Sequence, residues 1–146
     1  MNSKIQTLLE ESAWYAGRKI DISYMLEEAE NFGKPIKGDN LKQFFLEFGN
    51  NEIEFTTPRN TFSNVRVNID AIFDYTLEEL HKIDSFLNDE IIPVGYIHYE
   101  SGFLLMGEIS GFYMMNSDAL YKIGNNFMEA LETIVFEKDI QKLSGK

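Results

Sequence analysis

Two clusters in the sequence carry residue types that could do chemistry. The first is Ser12–Asp21, SAWYAGRKID, where Trp14 and Tyr15 precede Gly17, Arg18 and Lys19 in a chain short of basic residues. A glycine followed by two cations could cradle a phosphate. The segment lacks the glycine spacing and the Lys-Ser/Thr ending of a phosphate-binding loop, however, and no strand precedes it. An arginine fork held against a carboxylate or buried carbonyls, with Trp14 packed beside it, is the better reading. The second cluster is His98 and Glu100, two apart in what reads as a strand, so both side chains point to one side of the sheet. That geometry would suit an acid–base pair or half of a metal site. Two ligands do not hold a metal, and the other histidine, His81, lies on a separate helix. Ile92, Val94 and Tyr96 share the strand face, so a packed or half-exposed histidine is favoured over a catalytic one.

The remaining candidates fall away on geometry. Glu27-Glu28 and Glu78-Glu79 sit in helical patterns, where neighbours diverge by about 100°, so neither is a paired-carboxylate site. Ser101 and Ser110 lie in turn sequences, where serine is common, and no GxSxG nucleophile elbow is present. No catalytic residue, metal ligand or cofactor is assigned. A small hydrolase using His98 and Glu100 is the weakest of the functional readings.

The elements that must position these residues alternate irregularly along one expected domain, residues 1–146. Ser3 with Gln6 three residues on suggests a capping box ahead of Ile5, Leu8 and Leu9. Asp21 or Ser23 is expected to cap a second helix, YMLEEAENF, that Gly33 ends, and Asp39 a third whose stripe is Leu41, Phe44, Phe45 and Phe48 before Gly49. EIEFT and VRVNI alternate with period two. Thr76 and Glu79 form a capping box for a helix running to about Asn88, with Leu77, Leu80, Ile83 and Leu87 inward. Three strands, IIPVGYIHY, FLLMGE and FYMM, follow with tight joints at ESG and SG, then a helix from Asn125 or Asn126 and a frayed tail. The fold class is α+β, with a mostly antiparallel sheet and helices at both ends and in the middle.

Composition narrows the function classes. The chain has 146 residues, three prolines and a hydrophobic share of 44%, as an ordered globular domain should. It has no cysteine, which removes disulfides and thiolate chemistry and favours a cytoplasmic location. The N-terminal MNSKIQTLLEES has no apolar stretch of signal-peptide length, and no segment reaches the ~20 apolar residues of a membrane span. Net charge is −11. Between residues 67 and 121, Lys82 stands alone against Asp70, Asp74, Glu78, Glu79, Asp84, Asp89, Glu90, Glu100, Glu108 and Asp118. Such a surface repels nucleic-acid phosphates and anionic membranes and attracts a basic protein.

The strands from 91 to 115 are apolar on both sides, with Ile92, Val94 and Tyr96 expected on one and Ile91, Ile97 and Tyr99 on the other. Either helices cover both faces or an aromatic and methionine surface binds something, and coverage is favoured. Tyr96, Tyr99, Tyr113 and Met115 are candidate anchors for a partner, with Glu78, Glu79, Asp89, Glu90 and Glu100 as the acidic residues around them.

The order of Trp14, Gly17-Arg18, FFLEFG, EIEF, Pro58, IIPVG, SGFLLMGEISGFYM and IGNNFMEALETI resembles the SUKH superfamily of bacterial immunity proteins, closest to the subgroup opening with Trp-x-x-Gly-Arg. The resemblance runs from about residue 8 to 135. It implies that Trp14, Gly17, Arg18, Gly49, Pro93, Gly95, Gly124 and Phe127 are fold-signature residues. FGNN and TTP depart from the pattern, each in a loop. The resemblance further implies a non-catalytic cytoplasmic antidote that binds and blocks a cognate toxin domain, in many systems a nuclease with a basic surface. An intracellular scaffold or regulatory module of the same fold is the alternative.

Overall fold

A computed structural model describes residues 2–144. Three helices, α1 (Ser3–Glu11), α2 (Ser23–Phe32) and α3 (Asp39–Phe48), lead into strands β1 (Glu52–Thr56) and β2 (Phe62–Val67). A 3-10 turn, Ile69–Asp74, and α4 (Leu77–Leu87) come next. Strands β3 (Ile91–Ile97), β4 (Gly102–Gly107), β5 (Gly111–Asn116) and β6 (Ala119–Gly124), helix α5 (Phe127–Val135) and β7 (Gln141–Ser144) complete the chain. The seven strands form one sheet in sequence order, and every pairing is antiparallel. The α+β reading holds.

One sheet face carries the main core. Ile5 and Leu9 of α1, Met25 and Ala29 of α2, Leu41, Phe44, Phe45 and Phe48 of α3, and Phe127, Leu131 and Val135 of α5 pack with Ile53, Val65, Ile92, Leu104 and Phe112 of the strands. The 3.6-residue spacing of those apolar positions puts each set on a single helix face, which the sheet covers. On the opposite face a smaller core joins Ile91, Leu105, Tyr113 and Leu120, with Tyr75, Ile83 and Leu87 against them. Helices therefore cover both faces, but α4 covers only part of the second.

Local signals were read well where they are local. The Thr76–Glu79 capping box closes in both directions, and Asn88 ends α4 in the left-handed conformation. Gly33 ends α2 at φ 105°, and Asn126 caps α5. Three cap expectations shift. Asn2, not Ser3, caps α1, accepting from the N–H groups of Lys4 and Ile5. Ile22 stands at the α2 N-cap, and Asp21 instead accepts the Ser23 N–H at 2.9 Å. Gly38 occupies the α3 N-cap, and the donors of Asn40 and Leu41 go to the Glu108 carboxylate at 3.0 and 2.9 Å. A side chain on residue 38 would occupy the Glu108 carboxylate's space, so the cap is supplied from the β4–β5 turn.

Strand β3 departs from simple alternation. Pro93 pairs with Leu105 and Gly95 with Leu104, which leaves Val94 as an extra residue in a β-bulge. Ile92, Val94 and Ile97 consequently join the main core, whereas Ile91 and Tyr96 turn to the second face. This corrects the expected grouping of Ile92, Val94 and Tyr96. Proline suits the bulge because it has no N–H to donate, and a Cβ on Gly95 would run into the Arg66 carbonyl. Two strands were also missed. β6 contains Lys122 and a register shift, and β7 is a short, largely exposed edge strand in the expected frayed tail.

Candidate functional site

The part of the second sheet face beyond α4 is open. Register places Glu52, Glu54 and Thr56 of β1 opposite Arg66, Asn64 and Phe62 of β2, and Arg66 opposite Tyr96 of β3. Tyr96 continues to Phe103 of β4, and Phe103 to Met115 of β5. Ring contacts join Tyr75 to Phe103 at 5.2 Å and Phe103 to Tyr96 at 5.6 Å, and the Arg66 guanidinium lies 4.7 Å from the Tyr96 ring centre. At the far edge Phe62 stacks on Tyr99 at 6.1 Å and 25°. Both rings are largely in solvent, 59% and 49% exposed. Near α4 the face dips into a cavity of about 300 Å³ lined by Asp74, Tyr75, Glu79, Lys82, Ile83, Phe103, Met115, Ser117 and Asp118.

His98 and Glu100 do not share a strand. β3 ends at Ile97, and His98, Tyr99 and Glu100 form a turn with φ of 54°, 52° and 74°. Three consecutive non-glycine residues in the left-handed region cost on the order of 1–2 kcal/mol each, so their surroundings must hold them. Asn64 does most of this: its carbonyl accepts from the His98 N–H at 2.9 Å and its side-chain oxygen from the Tyr99 N–H at 2.7 Å. The Ser101 hydroxyl donates to the His98 carbonyl at 2.9 Å. Glu100 pairs with Arg66 at 2.5 Å, and the His98 Nδ1 lies 2.5 Å from the Ser63 Oγ. Partial burial holds the His98 pKa below the ordinary imidazole range, against the upward pull of Glu137. His98 therefore faces Ser63 while Glu100 faces Arg66, and the two form no acid–base pair.

The expected anchors and charges separate into groups. Tyr99 is exposed, and Met115 and Glu100 border the open face. Tyr96 and Tyr113 are 8% and 3% exposed, so neither offers its ring as a projecting anchor. Burial, with the Asp74 carboxylate beside it, pushes the Tyr96 phenol up to about 12. Glu79 caps α4, and Glu78 pairs with Lys82 along the helix. Asp89 is a structural carboxylate: it accepts from the N–H groups of Glu90, Ile109 and Ser110 and from the Ser110 hydroxyl at 2.6 Å. Burial raises its pKa, but these donors outweigh that and hold it below the usual range. The stability Asp89 lends is thus present above the ordinary carboxylate pKa and lost as pH falls through its lowered one. Glu90 sits at the α4–β3 joint, where its carbonyl accepts from Glu108. Sequence reasoning missed Phe62, Glu52, Glu54 and Asn64. EIEFT and the following turn held the signal, since alternation there puts both glutamates on the outer face.

The SAWYAGRKID segment forms an anchor for the end of α3. Arg18 donates through Nη1 to the Glu47 carbonyl at 2.6 Å and through Nη2 to the Gly49 carbonyl at 2.9 Å. Trp14 stacks on Phe48 at 6.2 Å and 6°, with its indole N–H donating to Glu47 at 2.9 Å. Gly17 turns the chain at φ 83°. The guanidinium thus satisfies carbonyls left over where α3 ends.

A family model described as SUKH-3 immunity protein matches residues 1–137. The chain belongs to the SUKH-3 immunity protein family. No curated protein and no solved structure gives a match. In this SUKH-3 domain the candidate signature residues have identifiable jobs. Besides the Trp14–Arg18 anchor, Gly49 lies where a Cβ would press on the Phe45 carbonyl, Met25 and Ile20, and Gly124 where one would press on the start of α5. Phe127 is buried against Phe44, Phe48 and Phe112. Arg18→Ala is expected to lower stability by roughly 1–3 kcal/mol, because the Glu47 and Gly49 carbonyls at the end of α3 lose their charged donor. Urea denaturation checks this; a variant as stable as the parent would overturn the anchor role. Among the described residues, no helix is long and apolar enough to cross a membrane.

Proposed function

We propose that this immunity protein neutralises a cognate toxin domain by covering a basic surface of that toxin with the open sheet face. The observation that carries the reading is an exposed aromatic pair on a sheet face whose surrounding side chains are mainly acidic. Phe62, Tyr99 and Met115 supply apolar contact. Glu52, Glu54, Glu100, Asp74, Glu79 and Asp118 give the face and its rim a negative field. Aromatic groups dominate binding energy, whereas rim charges act mainly on encounter rate. A nuclease is a fitting target, since a substrate-binding surface for nucleic acid is basic. The protein acts by occlusion and has no catalytic role, and the setting is the cytoplasm.

Co-expression with a cognate toxin domain should restore growth, and the purified pair should form a stable complex. Association should slow as salt rises. Reversing Glu54, Glu78 and Asp118 to lysine should slow it about tenfold at low ionic strength, with the folded spectrum unchanged. Failure of the parent protein to protect or to bind would overturn the toxin reading, and an unchanged on-rate in the triple variant would overturn the steering role.

A further inference from the structure

The open face already shows how it treats a guanidinium. Arg66 lies 4.7 Å from the Tyr96 ring centre and 2.5 Å from Glu100, so an aromatic face and a carboxylate hold one cation between them. Two and four residues back along β2 from Arg66, the same parts recur with no guanidinium stacked on them, for Arg59, which lines the adjoining hollow, is paired with Glu137. Phe62 and Tyr99 stack at the surface, and the neighbouring Glu54 and Glu52 meet neutral donors: the Tyr99 hydroxyl at 3.3 Å and the Asn64 amide at 2.8 Å. A neutral donor leaves most of a carboxylate's charge uncompensated, and an exposed ring face attracts a weakly hydrated cation. The aromatic ring is also fixed in advance. Asn64 and Ser101 hold the left-handed turn that carries Tyr99. Little further ordering is needed when a ligand arrives.

We propose that Phe62, Tyr99 and Glu54 form a receptor for an arginine side chain on the partner's surface. The guanidinium stacks on the exposed rings and donates to Glu54, with Glu52 adding field. Arginine fits better than lysine because its planar, poorly hydrated group both stacks and forks onto a carboxylate. The proposal deepens the toxin-binding reading by naming the partner group that this edge recognises.

Two measurements test it, and one needs no toxin. In NMR titrations, a capped hexa-arginine peptide should shift the Phe62 and Tyr99 ring signals and the β1 amides first and saturably. A hexa-lysine peptide should bind several-fold more weakly. Tyr99→Ala and Phe62→Ala change exposed rings, so their spectra should stay folded while the arginine preference disappears; Tyr99→Phe should retain it. Against the toxin domain, either alanine variant should weaken binding about 30-fold, the scale of an interface hot spot. Shifts spread evenly over the acidic surface, equal affinity for the two peptides, or an alanine variant that binds peptide and toxin as well as the parent would each overturn the receptor. If the peptide result holds and no toxin binds, the toxin reading fails and the arginine site stands.

Discussion

Lys34→Ala is expected to destabilise the protein by about 3–5 kcal/mol, the cost of removing one partner from a buried ion pair. Lys34 is 3% exposed, in the link between α2 and α3. Its ammonium sits 2.8 Å from both carboxylate oxygens of Asp84 on α4, and it donates to the Ile91 carbonyl at the start of β3. Asp84 also accepts the Ile91 N–H at 2.9 Å. One lysine thus ties the helical layer, α4 and the sheet together. Without it, a carboxylate whose side chain is 20% exposed and a strand carbonyl lose their cation together. The melting temperature should fall by on the order of 10 °C. The double variant Lys34→Met/Asp84→Leu should recover part of the loss, because no charge is then left without a partner; the Ile91 N–H accounts for the rest. A Lys34→Ala protein within 1 kcal/mol of the parent would show that the pair is not the tie described here.

Phe127→Ala should cost a similar amount, about 3–5 kcal/mol, by a different mechanism. The ring stands at the start of α5, 4.6 Å from Phe48, 5.0 Å from Phe44 and 5.6 Å from Phe112. Truncation opens a void among three aromatic neighbours that rest on α3 and the sheet, so collapse can fill little of it. Phe127→Leu, which keeps most of the volume, should lose markedly less. Chemical denaturation of the two variants separates the cavity effect from a general intolerance at this position. Equal losses would argue that ring shape, rather than volume, is what α5 needs.

The fold was legible wherever a signal is carried by adjacent residues. The Thr76–Glu79 box, Asn88, Gly33 and the α3 stripe depend on spacings within one or two turns, and each was found. The caps of α1 and α2 were missed by one residue within the local sequence, and the larger misses involve a distant partner. Glu108 caps α3 across 67 and 68 residues. The left-handed course of His98–Glu100 rests on Asn64, 35 residues from Tyr99. Period-two reading ran through Pro93–Gly95 because a bulge leaves composition unchanged while it reverses the sides of every later residue. Of the candidate anchors, Tyr99 is well exposed and Met115 is part of the open face, while Tyr96 and Tyr113 pack inward, a distinction that depends on where α4 lies. Arg18 was read as a fork on a carboxylate or buried carbonyls because glycine spacing ruled out the phosphate loop, and of the two it is carbonyls, those of Glu47 and Gly49, that it meets.

The sheet's simple order has a kinetic consequence. Each strand pairs only with its neighbours in sequence, and β1–β2, β3–β4, β4–β5 and β5–β6 each close a small loop, whereas α4 lies between β2 and β3 and α5 between β6 and β7. Such local pairing favours rapid folding, and successive hairpins can form as synthesis proceeds from β1 towards β6. The main core follows another schedule. α1 packs against α5, whose apolar side also covers β5 and β6, so the layer cannot close until residues 127–135 have left the ribosome. An immunity protein built this way acquires its hairpins early and its full stability late, and truncation ahead of α5 should yield a chain with hairpins but no lasting core.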